Sequence, residues 1–343
     1  MLPRAALLFV ALSQFARLGT SQSASLEAGW LELVREVRAA RSETAAAPPT
    51  VVLTVSDARY VDRFEEFVLT VRALAGGAAI GAVALDAAAR DAFAALGVPC
   101  AHPAGARDAP ADAGAPELVM HAKFDGTLHL LRAGYRVVVS EMDVFWRRSP
   151  LALDGALGGD FLVAAHNYGA SATAPPQREI NIGFYIAKPA RAVLHAFELV
   201  HAWLHAKRRH RQPKVFCAFD QKVLHYALFG PSGDDGYMRP KLHRECRMPR
   251  RELGQLFDNA SAPGGFVRYI PWPRLPHWHD ALFEDAVRSP EMLAAHLWRR
   301  TGDGAAATRI RIAYEHGLYA DAAASVVARY LSGARNASSS QRR

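Results

Sequence analysis

The stretch Arg136-Val-Val-Val-Ser140-Glu141-Met142-Asp143-Val144-Phe145-Trp146 decides the fold of this chain. Its three consecutive valines predict a buried strand that ends at Ser140. Two carboxylates, Glu141 and Asp143, follow the strand directly and are two residues apart. Ligands of open α/β sheets bind beyond the carboxyl ends of the strands. We therefore expect both carboxylates to face a ligand crevice.

Strands and helices alternate in the sequence before this stretch. We predict strands at residues 51–55, 79–85 and 98–100, and helices at residues 60–74, 87–96 and 118–133. This order favours a mostly parallel sheet that is covered by helices on both faces. The predicted fold class is α/β, with a Rossmann-like, mostly parallel central sheet flanked by helices.

The two ends of the chain differ from this central region. Residues 1–24 join a positively charged start to a short apolar run, which predicts a secretory signal peptide, with a short membrane anchor as the alternative. Residues 25–50 are expected to form a helix and a linker, residues 51–331 one folded domain, and residues 332–343 a disordered tail. The glycosylation triplets at Asn259 and Asn336 agree with a location in the Golgi lumen or outside the cell.

Composition narrows the function classes without naming one. Half of the 343 residues are hydrophobic, yet the mean hydropathy of -0.03 excludes a protein with many membrane spans. The net charge of +8 attracts anions in general, and because no nucleic-acid motif accompanies it we expect no nucleic-acid partner. Three cysteines allow at most one disulfide, either Cys217 with Cys246 or none.

The spacing of the two carboxylates points to metal chemistry. Hard divalent cations such as Mg²⁺ and Mn²⁺ take oxygen ligands, usually one or two carboxylates completed by phosphates and water. Glu141 and Asp143 could supply those oxygens. A solvated acidic turn is the alternative interpretation of such a short pattern.

The surrounding sequence resembles the nucleotide-diphospho-sugar transferase family, in particular glycosyltransferase family 77. In that family a Gly-Tyr pair, an apolar strand, an Asp-x-Asp motif and a Trp occur in this order, and here Glu141 replaces the first Asp. Further motifs follow the family's order over about residues 50–320: Val51-Val-Leu-Thr54-Val-Ser-Asp57-Ala-Arg-Tyr60, Ala84-Leu85-Asp86, Asn181-Ile-Gly183-Phe-Tyr-Ile-Ala-Lys188, Phe219-Asp220-Gln221 and Leu293-Ala-Ala-His296-Leu.

The resemblance implies a glycosyltransferase-A type fold and a glycosyltransferase catalytic domain over residues 51–331. It implies transfer of a sugar, with retention, from a nucleotide diphosphate sugar, a UDP-sugar, to a glycan or glycoprotein acceptor. It also implies a divalent metal, Mn²⁺ or Mg²⁺, and a membrane contact only through a possible N-terminal anchor.

The resemblance assigns roles to individual residues. The implied metal ligands are Asp143, His296 and, as an indirect or second ligand, Glu141. The implied nucleotide-sugar contacts are Thr54, Asp57, Tyr60, Lys123, Glu141, Met142, Asp143, Gly183 and Arg299. The implied catalytic residues are Asp220, Asn181 and Gln221.

Simpler interpretations of these residues stay open at this stage. His296 could be an ordinary histidine on a helix face, Tyr60 a core aromatic residue, Lys123 the partner of an acidic residue and Asp220 a helix N-cap. The substitution at Glu141 also leaves a non-catalytic glycan-binding module as an alternative function. A metal-dependent hydrolase or nuclease is a third hypothesis, but the sequence lacks a second carboxylate-histidine cluster for a two-metal site.

Overall fold

The computed structural model describes residues 30–39, 49–101, 115–165, 180–209, 220–229, 266–271, 274–276, 287–297 and 306–340. The predicted signal segment 1–24, Arg299, Cys217 and Cys246 lie outside these described residues. Cys100 is a free thiol.

The described strands alternate with helices over the first half of the chain. The strands are β1 Thr50–Ser56, β2 Ala79–Ala84, β3 Cys100–Ala101, β4 Arg136–Ser140, β5 Val144–Trp146, β6 Phe161–Ala165, β7 Ile180–Ala187, β8 Val267–Ile270 and β9 Ala294–His296. The helices are α1 (residues 30–39), α2 Val61–Leu74, α3 Ala87–Ala95, α4 Ala115–Arg132, α5 Ala152–Leu157, α6 Arg191–Arg209, α7 Asp220–Phe229, α8 Ala306–Glu315 and α9 Ala324–Ser340.

Seven of the described strands form one sheet in the order β3-β2-β1-β4-β7-β6-β8. Strands β3, β2, β1 and β4 run parallel to one another, and β6 runs parallel to β8. Strand β7 runs antiparallel to β4 and β6, between which it lies. The predicted α/β class with a mostly parallel sheet flanked by helices is confirmed.

Side chains of the sheet alternate between two hydrophobic layers. In β1, Val51 and Leu53 belong to the layer that also contains Trp30 of α1, while Val52 lies in the opposite layer with Phe64 of α2. This alternation is the period of two that a strand requires when both faces are covered. The sheet is therefore buried on both sides, and its functional groups lie at the ends of its strands.

A second, two-stranded sheet lies beyond the end of β4. Strand β5 pairs antiparallel with β9, so that Val144 lies opposite His296. These strands come from distant parts of the sequence, and their pairing brings the C-terminal region of the chain to the end of β4.

Two details differ from the sequence-based expectations. Asp57 caps a short 3-10 helix, Ala58–Tyr60, and α2 begins only after that turn. Helix α9 continues to Ser340, through most of the segment 332–343 that we expected to be disordered. Alanine and arginine in residues 334–337 favour the helix, and no proline ends it.

Every helix among the described residues is too short or too polar to cross a bilayer.

Candidate active site

The turn between β4 and β5 carries both carboxylates, and neighbouring elements fix its backbone. The Glu141 N–H donates to the Gly183 carbonyl at 2.9 Å, and the Val144 N–H donates to the Glu141 carbonyl at 3.0 Å. The Leu297 N–H donates to the Asp143 carbonyl at 2.8 Å. The turn is thus tied to β7 on one side and to the residue after β9 on the other.

Gly183 makes room for the imidazole of His296. A Cβ atom at Gly183 would lie only 2.8 Å from both ring nitrogens, closer than real Cβ atoms come to any neighbour. The ladder between β6 and β7 is irregular here, since Val163 lies opposite Tyr185 and Ala164 opposite Asn181. Such irregularities redirect a strand locally. The missing side chain allows His296 to approach the end of β4.

Glu141, Asp143 and His296 converge on one point. Each offers one ligand atom, and these atoms all lie within 4.8 Å of one another. His296 Nε2 lies 3.3 Å from Asp143 Oδ1 and 3.9 Å from Glu141 Oε2. Two carboxylate oxygens and one imidazole nitrogen are a donor set that suits Mn²⁺. The three side chains fit a divalent metal ion.

Two cationic side chains face the carboxylates. The side chain of Lys123 in α4 is fully buried, and its Nζ lies 2.6 Å from Glu141 Oε1. Arg309 of α8 donates to Asp143 Oδ2 at 2.7 Å and to the Tyr60 hydroxyl at 2.7 Å. Two negative and two positive charges therefore balance within the cluster.

These neighbours set the ionisation of the acidic groups. Burial by itself would raise the pKa of Asp143, but His296 and Arg309 outweigh burial and hold that pKa below its usual range. Burial, reinforced by the Asp143 carboxylate, raises the pKa of the Tyr60 hydroxyl. Asp143 is consequently an anion and Tyr60 a neutral hydroxyl at physiological pH.

Four residues that we expect to contact the nucleotide sugar differ from one another in their surroundings. They are Thr54, Asp57, Tyr60 and Met142. Thr54 is fully buried, and its hydroxyl has no hydrogen-bond partner among the described residues. The Asp57 carboxylate accepts from its own turn and from the Arg59 side chain, at 2.6 Å from Nη2. Met142 packs its side chain into the hydrophobic layer beside α2. Among the contacts of the described residues, Tyr60 is the one of these four that joins the charged cluster, through its hydrogen bond with Arg309.

The proposed catalytic residues lie on β7 and at the start of α7. Asn181 is buried, and its side-chain oxygen accepts the N–H of Gly183 at 3.0 Å, which holds the strand where it passes His296. Helix α7 begins at Asp220, followed by the partly buried Gln221, and it packs against β7. The structure therefore brings six of the predicted site residues into one cluster: Glu141, Asp143, His296, Lys123, Tyr60 and Gly183. Asn181 contacts this cluster through the N–H of Gly183.

Arg309 is the site residue that sequence reasoning missed. Nothing in its local sequence separates it from Arg311, which lies two residues away on the same helix and pairs with Glu315 at the surface. Only the pairing of β9 with β5 and the packing of α8 bring Arg309 to Asp143. No local signal could have identified it.

Comparisons with known proteins show which family the chain resembles. The family model described as nucleotide-diphospho-sugar transferase matches residues 80–254. The beta-arabinofuranosyltransferase RAY1 of Arabidopsis thaliana is 29% identical over 136 residues, which are 39% of this chain and 25% of that protein. This chain thus matches about a quarter of the length of that relative.

Solved glycosyltransferase structures also align with the chain. The galactosyltransferase LgtC, in complex with donor and acceptor sugar analogues, is 16% identical, with 78% of this chain and 96% of LgtC covered and a TM-score of 0.38. Mouse xyloside xylosyltransferase 1 is 12% identical, with 76% and 97% covered and a TM-score of 0.34.

The family model covers just over half of the chain, including β4, the carboxylate turn and β7. The chain belongs to the nucleotide-diphospho-sugar transferase family.

Proposed function

We propose that this protein transfers a sugar from a UDP-sugar to a glycan or glycoprotein acceptor, with retention of anomeric configuration, and that it depends on Mn²⁺ or Mg²⁺. One observation carries the proposal: the ligand atoms of Glu141, Asp143 and His296 lie within 4.8 Å of one another beyond the end of β4. Parallel sheets bind their ligands at that edge.

The charge balance of the cluster supports a diphosphate as the ligand. Glu141 and Asp143 are already paired with Lys123 and Arg309, so a divalent cation alone would leave two excess positive charges in a partly buried site. A cation that arrives with a diphosphate leaves no excess. We therefore expect Mn²⁺ to bind much more tightly in the presence of UDP than alone.

The chain's own groups would hold and orient the donor. Asp143, His296 and Glu141 would hold the metal, whose chemistry is Lewis-acid stabilisation of the charge on a leaving diphosphate. Arg309, which also donates to the Tyr60 hydroxyl, donates to Asp143 Oδ2 and so fixes the direction of the carboxylate. Outer partners of this kind orient the ligands of metal sites.

The remaining roles follow the family resemblance. Thr54, Asp57 and Tyr60 would bind uracil and ribose, and Asp220 with Gln221 would bind the transferred sugar. Met142, Gly183 and Arg299 would complete the donor contacts. Asn181, whose side-chain oxygen accepts the Gly183 N–H, would contact the sugar or the acceptor. A front-face reaction, in which the leaving phosphate assists the acceptor, would give retention without a nucleophilic side chain.

Location and donor sugar belong to the same proposal. The predicted signal segment 1–24 and the two glycosylation triplets support the secretory pathway, in the Golgi lumen or outside the cell. Similarity to a beta-arabinofuranosyltransferase supports an arabinofuranosyl nucleotide as the first donor to test.

A donor screen tests the proposed function. Purified protein with Mn²⁺, with Mg²⁺ or with EDTA is incubated with each nucleotide sugar, and the released UDP is measured. We expect release from one UDP-sugar that Mn²⁺ stimulates and EDTA abolishes. Absence of UDP release and of UDP binding, together with binding to a glycan, would instead identify a non-catalytic glycan-binding module.

A further inference from the structure

A buried ion pair lies beneath the carboxylate turn and takes no direct part in the proposed chemistry. Arg63 and Glu66 of α2 are both fully buried, and Arg63 Nε lies 3.1 Å from Glu66 Oε2. The Thr70 hydroxyl donates to Glu66 Oε1 at 2.8 Å. Charged residues are rarely buried to this degree, because removing them from water costs free energy that a pair only partly offsets.

The guanidinium of Arg63 reaches from this pair to the backbone of the turn. Its Nη1 donates to the Met142 carbonyl, and its Nη2 donates to the Val144 carbonyl at 2.8 Å. These two carbonyls flank Asp143 in the sequence. Of the four carbonyl groups from Glu141 to Val144, two are thus bound by backbone N–H groups and two by this one side chain.

The position of the guanidinium is itself fixed by aromatic rings. Its central carbon lies 3.8 Å from the ring centroid of Phe145 and 5.5 Å from that of Phe67. A planar guanidinium can stack on a ring and still donate two parallel hydrogen bonds, which a lysine ammonium cannot do. The residue type therefore matches the geometry of the turn.

We propose that Arg63 is a positioning residue of the active site, which holds the backbone on both sides of Asp143 so that its carboxylate faces His296. Glu66 neutralises the charge of Arg63 and accepts a hydrogen bond from Thr70, and among the described contacts neither Glu66 nor Thr70 touches the turn. This inference rests on the proposed function, because it concerns the same metal site. It assigns to α2 a function that its sequence, read as a helix with one apolar face, does not indicate.

The test compares variants that remove the carbonyl contacts with one that removes only the charge partner. Arg63→Met combined with Glu66→Gln leaves no unpaired buried charge, and the glutamine oxygen can still accept from Thr70. Glu66→Gln alone keeps Arg63 and its two carbonyl contacts. Arg63→Lys keeps the charge but loses the planar guanidinium that donates to both carbonyls. If the double variant does not fold, Arg63→Lys takes its place in the test.

Binding of Mn²⁺ in the presence of UDP is measured by calorimetry on full-length protein, with thermal unfolding as the measure of the fold. We expect the double variant to bind about 10-fold more weakly and Arg63→Lys to bind more weakly by a smaller factor, while Glu66→Gln binds as the wild type does. All measurements are made well below each variant's unfolding temperature, so that lost stability does not itself change the affinity.

Three results would overturn the inference. Wild-type affinity in the folded double variant, or in folded Arg63→Lys, would show that the carbonyl contacts do not position Asp143. An equal loss in Glu66→Gln would assign the effect to the ion pair and not to the carbonyl contacts. Failure of the wild type to bind Mn²⁺ in the presence of UDP would overturn both the proposed metal site and the role of Arg63. The titration of the wild type distinguishes this result from the first two, in which the wild type binds.

Discussion

Two glycines in this molecule each leave room for an aromatic ring. Gly183 of β7 lies against the imidazole of His296, and Gly126 of α4 lies against the indole of Trp30. A Cβ at Gly126 would come within 2.8 Å of the indole ring and within 3.2 Å of Leu53. The same packing device therefore operates at two places in the molecule.

The two rings differ in their neighbours. Trp30 lies in an apolar layer with Leu33 and Leu53, where it packs helix α1 against the central sheet. His296 lies beside Asp143 and Glu141, whose ligand atoms converge with its own. Both rings are almost completely buried. Burial alone thus does not distinguish a structural ring from a functional one, whereas the charges beside the ring do.

Among the variants that test this comparison, Gly183→Ala should have the largest effect on catalysis. The new Cβ displaces the imidazole, and since a misplacement of about 1 Å in an active site can cost about 100-fold in rate, we expect a loss of that order in Mn²⁺-dependent UDP release. Gly155→Ala in α5 is the matched control, because nothing lies within 4 Å of its added Cβ. Full activity in Gly183→Ala would contradict a functional role for the approach of His296.

Arg309→Met tests whether the charges beside His296 serve the donor. Hydrogen bonds to charged groups contribute about 1.5–3 kcal/mol, so losing a guanidinium that neutralises the cluster should weaken UDP binding in the presence of Mn²⁺ by about 10-fold or more. Arg311→Met on the same helix removes an equal charge at the surface and should leave UDP binding unchanged. Equal losses in the two variants would indicate a general effect of net charge.

Gly126→Ala should change stability and leave the site unchanged. Overpacking costs about 1–3 kcal/mol and the better helix propensity of alanine returns about 1 kcal/mol, so we expect a net loss of about 1 kcal/mol in the free energy of unfolding. Denaturant unfolding measures that loss, and calorimetry with Mn²⁺ and UDP should give the wild-type affinity. A weaker affinity would mean that the two regions are energetically coupled.

The sequence predicted the elements of this site better than their assembly. The valine run 137–139 and the two carboxylates that follow the strand specified β4 and the turn, because burial on both faces requires a short apolar strand. The expectation for His296 came from a resemblance to a family motif. The structure shows a short strand for this residue, β9, and not a helix face. Lys123 pairs with Glu141, which is one of the two alternatives that the sequence left open.

The contributions of Arg63 and Arg309 could not be predicted from sequence. Each lies on a helix among other charged residues, and what distinguishes it is a contact with a residue that is 79 or 166 positions away in the chain. Such contacts depend on how helices pack against the strand ends, and local periodicity carries no information about that packing. In α2 the polar residues Arg63, Glu66 and Thr70 recur at helical spacing, but this spacing does not show which element packs against them.

The most direct test of the proposed activity is Mn²⁺-dependent UDP release by the wild type and by Asp143→Ala, with Asp91→Ala at the exposed surface of α3 as the control. Metal stabilisation of transition-state charge is worth several kcal/mol, so we expect Asp143→Ala to lose about 1,000-fold in rate while its far-ultraviolet circular dichroism stays that of the wild type. The Asp91 variant should retain full activity. Wild-type turnover by folded Asp143→Ala would contradict the assignment of the metal site.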